Sequence, residues 1–379
     1  MVNHIPPDEF QHRLENVRQA MARESHDALV VYSQKRGHVS YLSGYHANYH
    51  TNAALMLITA KREPTLWIRF AFDLSRAKAT SWLEDIRTCA SDDAGTMIGH
   101  CAQEIQSHGI GSSRIGFVAS DLAVDELSLS MHERMCRELP KAQVLPASHL
   151  VNELRLTKSQ NEIELLRQAA ELAELVSEAF RKSIRPGVTD WQAAAVAEHA
   201  GKLEGAEQCD FFISTDPAFY AFPPSGLEFK AGSSVTFEIT VRYRGYWVQI
   251  CRAFAFGKPT REQTHVFNTC RDAYQAILQA ARPGASTGKL AEAAQDVIAA
   301  AGFNDCIPYG VGHGVGLDLP ELYPVEPEGN GRLHPGIVLV VHPSIWAPKQ
   351  GATYFGGPIA VTEDGAVQLD NPVSEMVVI

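Results

Sequence analysis

At 379 residues the chain exceeds one ordinary core, and at roughly 150 residues per domain it predicts two domains. Hydrophobic residues at 45%, charged residues at 20% and aromatics at 8% exclude collagen, a coiled coil and a globally disordered chain. Lysine and arginine number 33 against 44 acidic residues, and the resulting charge of −11 opposes binding to nucleic acid or anionic lipid.

Seven cysteines without CxxC spacing suggest reduced thiols rather than a disulfide framework or zinc ribbon. The opening residues lack a basic segment followed by an apolar one, and no run approaches the roughly 18 apolar residues that span a bilayer. The expectation is a cytoplasmic protein with no membrane segment.

In chain order, Phe10 to Glu24 reads as a helix and Ala28 to Tyr32 as a strand, followed by a turn-like stretch ending at Tyr45. Ala53 to Thr59 and Pro64 to Phe70 read as strands, Asp93 to His108 as a helix and Arg114 to Val118 as a further strand. From Asn152 to Ile184 apolar residues recur at helical spacing, so the chain divides into residues 1–151 and 152–379. Arg185-Pro186-Gly187 ends that helix, and Thr189-Asp190 can cap the next, Trp191 to Glu204. Strands and Gly/Pro turns then dominate, interrupted by helices at Arg261 to Ala281 and Thr287 to Ala301.

Chemistry concentrates in three segments of the second domain. Two alternating runs, Ser234 to Tyr243 and Tyr246 to Phe254, flank Arg244-Gly245 and predict a hairpin. That register sets Glu238 opposite Cys251 and Thr240 opposite Gln249 on one face. In the second segment His313 sits in a glycine-rich run, Gly310 to Gly316, where backbone and ligand can approach closely. The third, Gly336 to Val341, reads as a buried strand ending on His342.

These segments in this order resemble the creatinase, prolidase and aminopeptidase P family. Leu154 to Ser159, Arg185-Pro186-Gly187-Val188, Gly245-Tyr246 with Arg252, Gly312 to Leu317, Pro335-Gly336 and Val361 to Gly365 carry the likeness across nearly the whole chain. The resemblance implies an α/β (α+β) fold, with an N-terminal creatinase-like α/β domain and a C-terminal pita-bread catalytic domain. Metal-dependent members bind two cations through Asp, Asp, His, Glu and Glu, and these positions fall on Glu238, Gln249, His313, His342 and Gly356. The family's later His-Glu step reads Pro320-Glu321.

The departures direct the expectation to the metal-free members, creatinase and ectoine hydrolase, with no cofactor. In these a glutamate stands at the position of Cys251. The reading is a metal-independent hydrolase or lyase that cleaves a C–N bond in a small amidine, guanidino or amide metabolite, and not a two-metal peptidase. Cys251 attacks, His313 and His342 move protons, and Glu238 orients or charges one of them. Two alternatives stay open: a mononuclear metal enzyme using Glu238, His313 and His342, and a non-catalytic binding protein.

For the substrate, Tyr220, Phe222, Trp247 and Trp346 could make an aromatic wall, which favours a planar, cationic or apolar ligand. Gln249 and Glu321 complete the predicted binding set. By resemblance the protein is a homodimer, and Tyr45, His46, Tyr49 and His50 reach the pocket from the partner.

Overall fold

The computed structural model describes residues 5–47, 52–89, 94–120, 124–215, 222–347, 351–371 and 375–379. The chain divides into two compact units, Met1–Leu156 and Thr157–Ile379.

The first unit runs α1 (Pro7–Arg23), β1 (Ala28–Ser33), α2 (His38–Ser43), β2 (Ala54–Thr59), β3 (Thr65–Ile68), α3 (Leu74–Thr80), β4 (Ile86–Thr88), α4 (Ala94–Ser107), β5 (Arg114–Val118), α5 (Leu129–Glu138), β6 (Gln143–Pro146) and α6 (Ser148–Leu156). Among the described residues its sheet has six strands in the order β4-β3-β2-β1-β5-β6. β1 is central and buried on both faces, which is why it reads as an unbroken apolar run. Ala28, Val30 and Tyr32 face Met97, Ile98, Cys101 and Ile105 of α4 in one core cluster. A methyl on Gly116 would lie 2.4 Å from Leu29, so only glycine lets β5 pass this layer.

The expected turn before Tyr45 is instead helical. All six residues of α2 are buried, and the Ser33 hydroxyl accepts a hydrogen bond from the Val39 N–H at 3.1 Å. Tertiary burial, not an apolar stripe, makes this helix.

The second unit runs α7 (Gln160–Ser183), α8 (Asp190–Leu203), β7 (Gln208–Thr215), β8 (Ser234–Tyr243), β9 (Tyr246–Ala255), α9 (Arg261–Ala280), α10 (Thr287–Ala300), β10 (Gly312–Gly314), β11 (Glu321–Val325), β12 (Val338–Val341), β13 (Ser344–Ala347), β14 (Gly351–Tyr354), β15 (Gly357–Thr362), β16 (Gly365–Gln368) and β17 (Val377–Val378). Among the described residues it holds a four-stranded sheet, β17-β9-β8-β7, a five-stranded sheet, β11-β10-β12-β15-β16, and the β13-β14 ribbon. Phe180 of α7 stacks on Phe237 of β8 with ring centroids 4.0 Å apart, fixing that helix to the first sheet. α9 and α10 bury Phe267, Tyr274, Ile277 and Leu290 in one cluster with Leu339, Val341 and Ile359 of the second sheet.

The helix expected from 152 to 184 is broken, and the expected boundary at 151/152 falls inside α6. Lys158 leaves helical pairing to donate its N–H to the Gly336 carbonyl at 2.8 Å. Ser159 then restarts the helix with a capping box: its hydroxyl accepts from the Glu162 N–H, and the Glu162 carboxylate accepts from the Ser159 N–H. Thr189 caps α8 in the same way through Gln192. No described helix is long and apolar enough to cross a membrane. Replacing Ser159 by Ala removes one capping bond and is expected to cost about 1 kcal/mol, read as a lowered urea midpoint of unfolding.

Candidate active site

The β8-β9 hairpin supplies the first wall. Arg244 at φ 51 and Gly245 at φ 86 form a tight turn with both central residues left-handed, which fits the twist of two paired strands. The register follows: Glu238 lies opposite Cys251 and Thr240 opposite Gln249. Cys251 is fully buried and its thiol points at Glu238 Oε2, 4.0 Å away. The Gln249 side chain hydrogen-bonds to the same thiol.

Burial pushes the Cys251 thiol well above its usual range, and the Glu238 charge pushes it further, against the opposing pull of Arg252. Burial also raises the Glu238 carboxyl to about 7. A thiolate is therefore opposed twice over, and Cys251 behaves as a small core residue.

The second wall comes from β10 and β12. His313 pairs with Val340, and the His342 ring lies 5.6 Å from that of His313, centroid to centroid. His313 Nδ1 is 3.0 Å from the Gly314 carbonyl, so that nitrogen carries the proton and Nε2 is left as an acceptor. His342 is 5% exposed, yet neither ring nitrogen has a hydrogen-bond partner. Burial lowers both imidazoles, His342 to about 3 with a further push from His313. Both rings are neutral near pH 7.

The glycines around His313 make room for backbone rather than for a ligand. A Cβ on Gly312 would meet the Val340 carbonyl oxygen at 2.3 Å, and one on Gly314 the Leu322 carbonyl oxygen at 2.0 Å. They let β10 lie close between its neighbouring strands.

An aromatic group borders His342, joining the expected Trp346 to Tyr309 and Tyr354, which the sequence pattern did not reveal. The Tyr309 ring lies 6.1 Å from His342 and 6.4 Å from both Trp346 and Tyr354. Trp346 Nε1 donates to Tyr354 Oη at 3.0 Å, which fixes the two rings relative to each other. These residues come from three separate strand or loop segments, so no periodicity could have collected them.

The remaining predicted residues part company. Glu321 is buried against Lys158, whose Nζ donates to Oε2 at 2.6 Å, so it closes an internal ion pair rather than meeting substrate. Tyr45 is buried in the first unit, where its hydroxyl donates to Asp73 Oδ2 at 2.5 Å and accepts from Asn52 at 2.8 Å. It is a structural residue there. His46 is half-buried in that unit, and Phe222 is 48% exposed with its backbone paired to Ile213. Tyr49, His50 and Tyr220 lie outside the described residues.

The set at Glu238, Gln249, His313, His342 and Gly356 does not fit a pair of carboxylate-bridged cations. It offers one carboxylate, an amide, two imidazoles and a bare backbone, whereas hard divalent ions need several anionic oxygens. Gly356, at φ 151, has no space for a ligand, because a Cβ would stand 2.0 Å from the Val341 carbonyl oxygen. Among the described residues no three His, Cys, Asp or Glu side chains are grouped to hold a metal.

Residues 164–373 match metallopeptidase family M24, and residues 13–157 match the creatinase/prolidase N-terminal domain. The chain belongs to the M24 family and has its pita-bread architecture. An Xaa-Pro dipeptidase of Pyrococcus furiosus is 26% identical over 254 residues, covering 66% of this chain and 73% of that protein. The structure of an Xaa-Pro dipeptidase from Bacillus anthracis superposes with a TM-score of 0.85 at 23% identity, covering 98% of this chain and 100% of that one. The prolidase from Pyrococcus horikoshii gives 0.85 at 22% identity, covering 97% and 100%.

These relatives overturn the expected chemistry. They are peptidases by name, so a creatinase-like, metal-independent hydrolase of non-peptide C–N bonds is not the reading that the kinship supports, nor is the exclusion of a peptidase. The buried, proton-bound Cys251 gives the physical side of that correction.

Two outcomes check this geometry. Iodoacetamide on the native protein at pH 8 is expected to label the partly exposed Cys136 and Cys306 and to spare Cys251, whose thiolate forms only at far higher pH; peptide mapping reads the difference. Replacing Gly356 by Ala is expected to cost about 1–3 kcal/mol through overpacking against Val341, read by chemical denaturation.

Proposed function

We propose that the chain takes short peptides, with Xaa-Pro dipeptides the leading class, at the sheets of the C-terminal unit that carry Glu238, His313 and His342. The observation that supports this most is the match to the family models over both domains, with relatives named as Xaa-Pro dipeptidases. The chemistry on offer is recognition and proton handling. His313 Nε2 can accept a proton or hydrogen bond, and His342 has two unengaged ring nitrogens. No step is assigned to a metal, since the donor set does not fit the family's pair.

Seven unpaired cysteines support a reducing, cytoplasmic compartment, and a homodimer remains part of the proposal. Calorimetric titration of the full chain with Ala-Pro, Pro-Ala and creatine, with dipeptide cleavage followed in parallel, tests the reading. Ala-Pro is expected to bind at least about tenfold more tightly than creatine, a difference of ~1.4 kcal/mol. Binding of creatine with none of Ala-Pro would overturn it.

A further inference from the structure

The two histidines of the site belong to neighbouring strands, and one residue outside those strands is bonded toward both. Lys158, two residues before α7, donates its backbone N–H to the Gly336 carbonyl at 2.8 Å, just ahead of β12, whose far end leads into His342. Its side chain serves the strand of His313 instead: Nζ donates to Glu321 Oε2 at 2.6 Å, with both side chains buried. Glu321 opens β11 and pairs with Gly314, the residue whose carbonyl fixes the proton on His313 Nδ1. The ion pair also lies against Gly316, where a Cβ would stand 2.7 Å from Glu321 Oε1 and 2.9 Å from Lys158 Cε. The Gly316 carbonyl in turn accepts the Trp247 N–H at 2.7 Å, two residues before Gln249 on β9. Both walls of the site thus meet the turn that this pair braces.

We propose that Lys158 is a positioning residue that acts through Glu321 and Gly314 on His313. A buried ion pair is a poor source of stability, because the hydration lost by two charges offsets their attraction and apolar residues of similar volume commonly serve as well. What hydrogen-bonded charges add is direction. One Glu321 oxygen takes Lys158 and the other takes the Asp318 N–H at 3.3 Å, which fixes the turn between β10 and β11. With that turn fixed, the Gly314 carbonyl stays on His313 Nδ1 and Nε2 remains the acceptor for a ligand, which, if the chain takes short peptides as argued above, is the peptide. The backbone bond to Gly336 anchors the His342 strand from the same residue, so both imidazoles are set from one point. The Lys158 side chain is itself buried and acts only through these neighbours.

The test is nitrogen NMR of the histidine rings in the full chain, with the His313 signals assigned by their loss in His313→Gln, alongside urea unfolding and calorimetric titration with Ala-Pro. The main variant combines Lys158→Met with Glu321→Leu, which replaces the charged pair by an apolar one and strands no buried charge. The wild-type chain is expected to show His313 as one neutral tautomer with its proton on Nδ1. The double variant is expected to unfold at a urea concentration no lower than wild type, to show His313 in mixed tautomers and to bind Ala-Pro at least about tenfold more weakly. A wild-type His313 that samples both tautomers, or a folded double variant that keeps the single form, overturns the positioning role; Ala-Pro binding beside either result leaves the short-peptide reading intact. Mixed tautomers confined to the double variant, with no Ala-Pro bound by wild type, support the positioning role and overturn the peptide reading. If the double variant does not fold, Glu321→Gln decides, since it keeps the shape of the side chain and removes its charge: mixed tautomers support the role and the single form overturns it.

Discussion

The C-terminal unit depends on a buried guanidinium. Arg252 donates to the carbonyls of Cys251 and Gly356, each at 2.9 Å, to Asp370 at 2.8 Å and to Glu174 of α7. A buried charge is tolerable only when its partners are close and its donors used, and here it is shared between two carboxylates. In return it joins β9, the start of β15, the segment after β16 and the long helix at one point. The paired glycines follow from that junction. A Cβ on Gly357 would lie 2.0 Å from Asp370 Oδ2, and one on Gly356 would strike Val341. The isolated bridge between Cys251 and Gly356 joins β9 to the segment before β15 at this junction, and neither Gly356 nor Gly357 has room for a side chain there.

Within this frame, burial governs the chemistry. Glu238 is raised, His313 and His342 are lowered, and each shift moves its group toward the neutral form. The family fold is retained while the charges that would serve a metal pair are withdrawn. Architecture and chemistry are separable properties of a chain, and the M24 match speaks chiefly to the first.

How much was legible from the sequence varied with the range of the interaction. The hairpin register, with Glu238 against Cys251, followed from alternation and from Arg244-Gly245, both local signals. Caps at Ser159 and Thr189 are local as well, although Ser159 was read as helix interior because the apolar spacing of α6 and α7 stays in phase across the break. The roles of Glu321 and Tyr45 were not legible. Their partners, Lys158 and Asp73, are brought to them by tertiary folding, and an isolated carboxylate or phenol carries no mark of a distant partner. Cys251 shows the same limit differently, since sequence placed it beside a carboxylate and only depth of burial reveals that this neighbour suppresses its reactivity.

Gly356 gives the site a direction in sequence space. The room that a carboxylate at this position would occupy is filled by backbone, with the Val341 carbonyl inside contact distance of any Cβ. Single substitutions cannot reopen it, because separating β15 from β12 would first have to undo the Arg252 junction and the strand pairing of Val341 with Gly357. The arrangement acts as a ratchet: with backbone filling this gap, a carboxylate at position 356 would be accommodated only by rebuilding the pairing of β12 with β15.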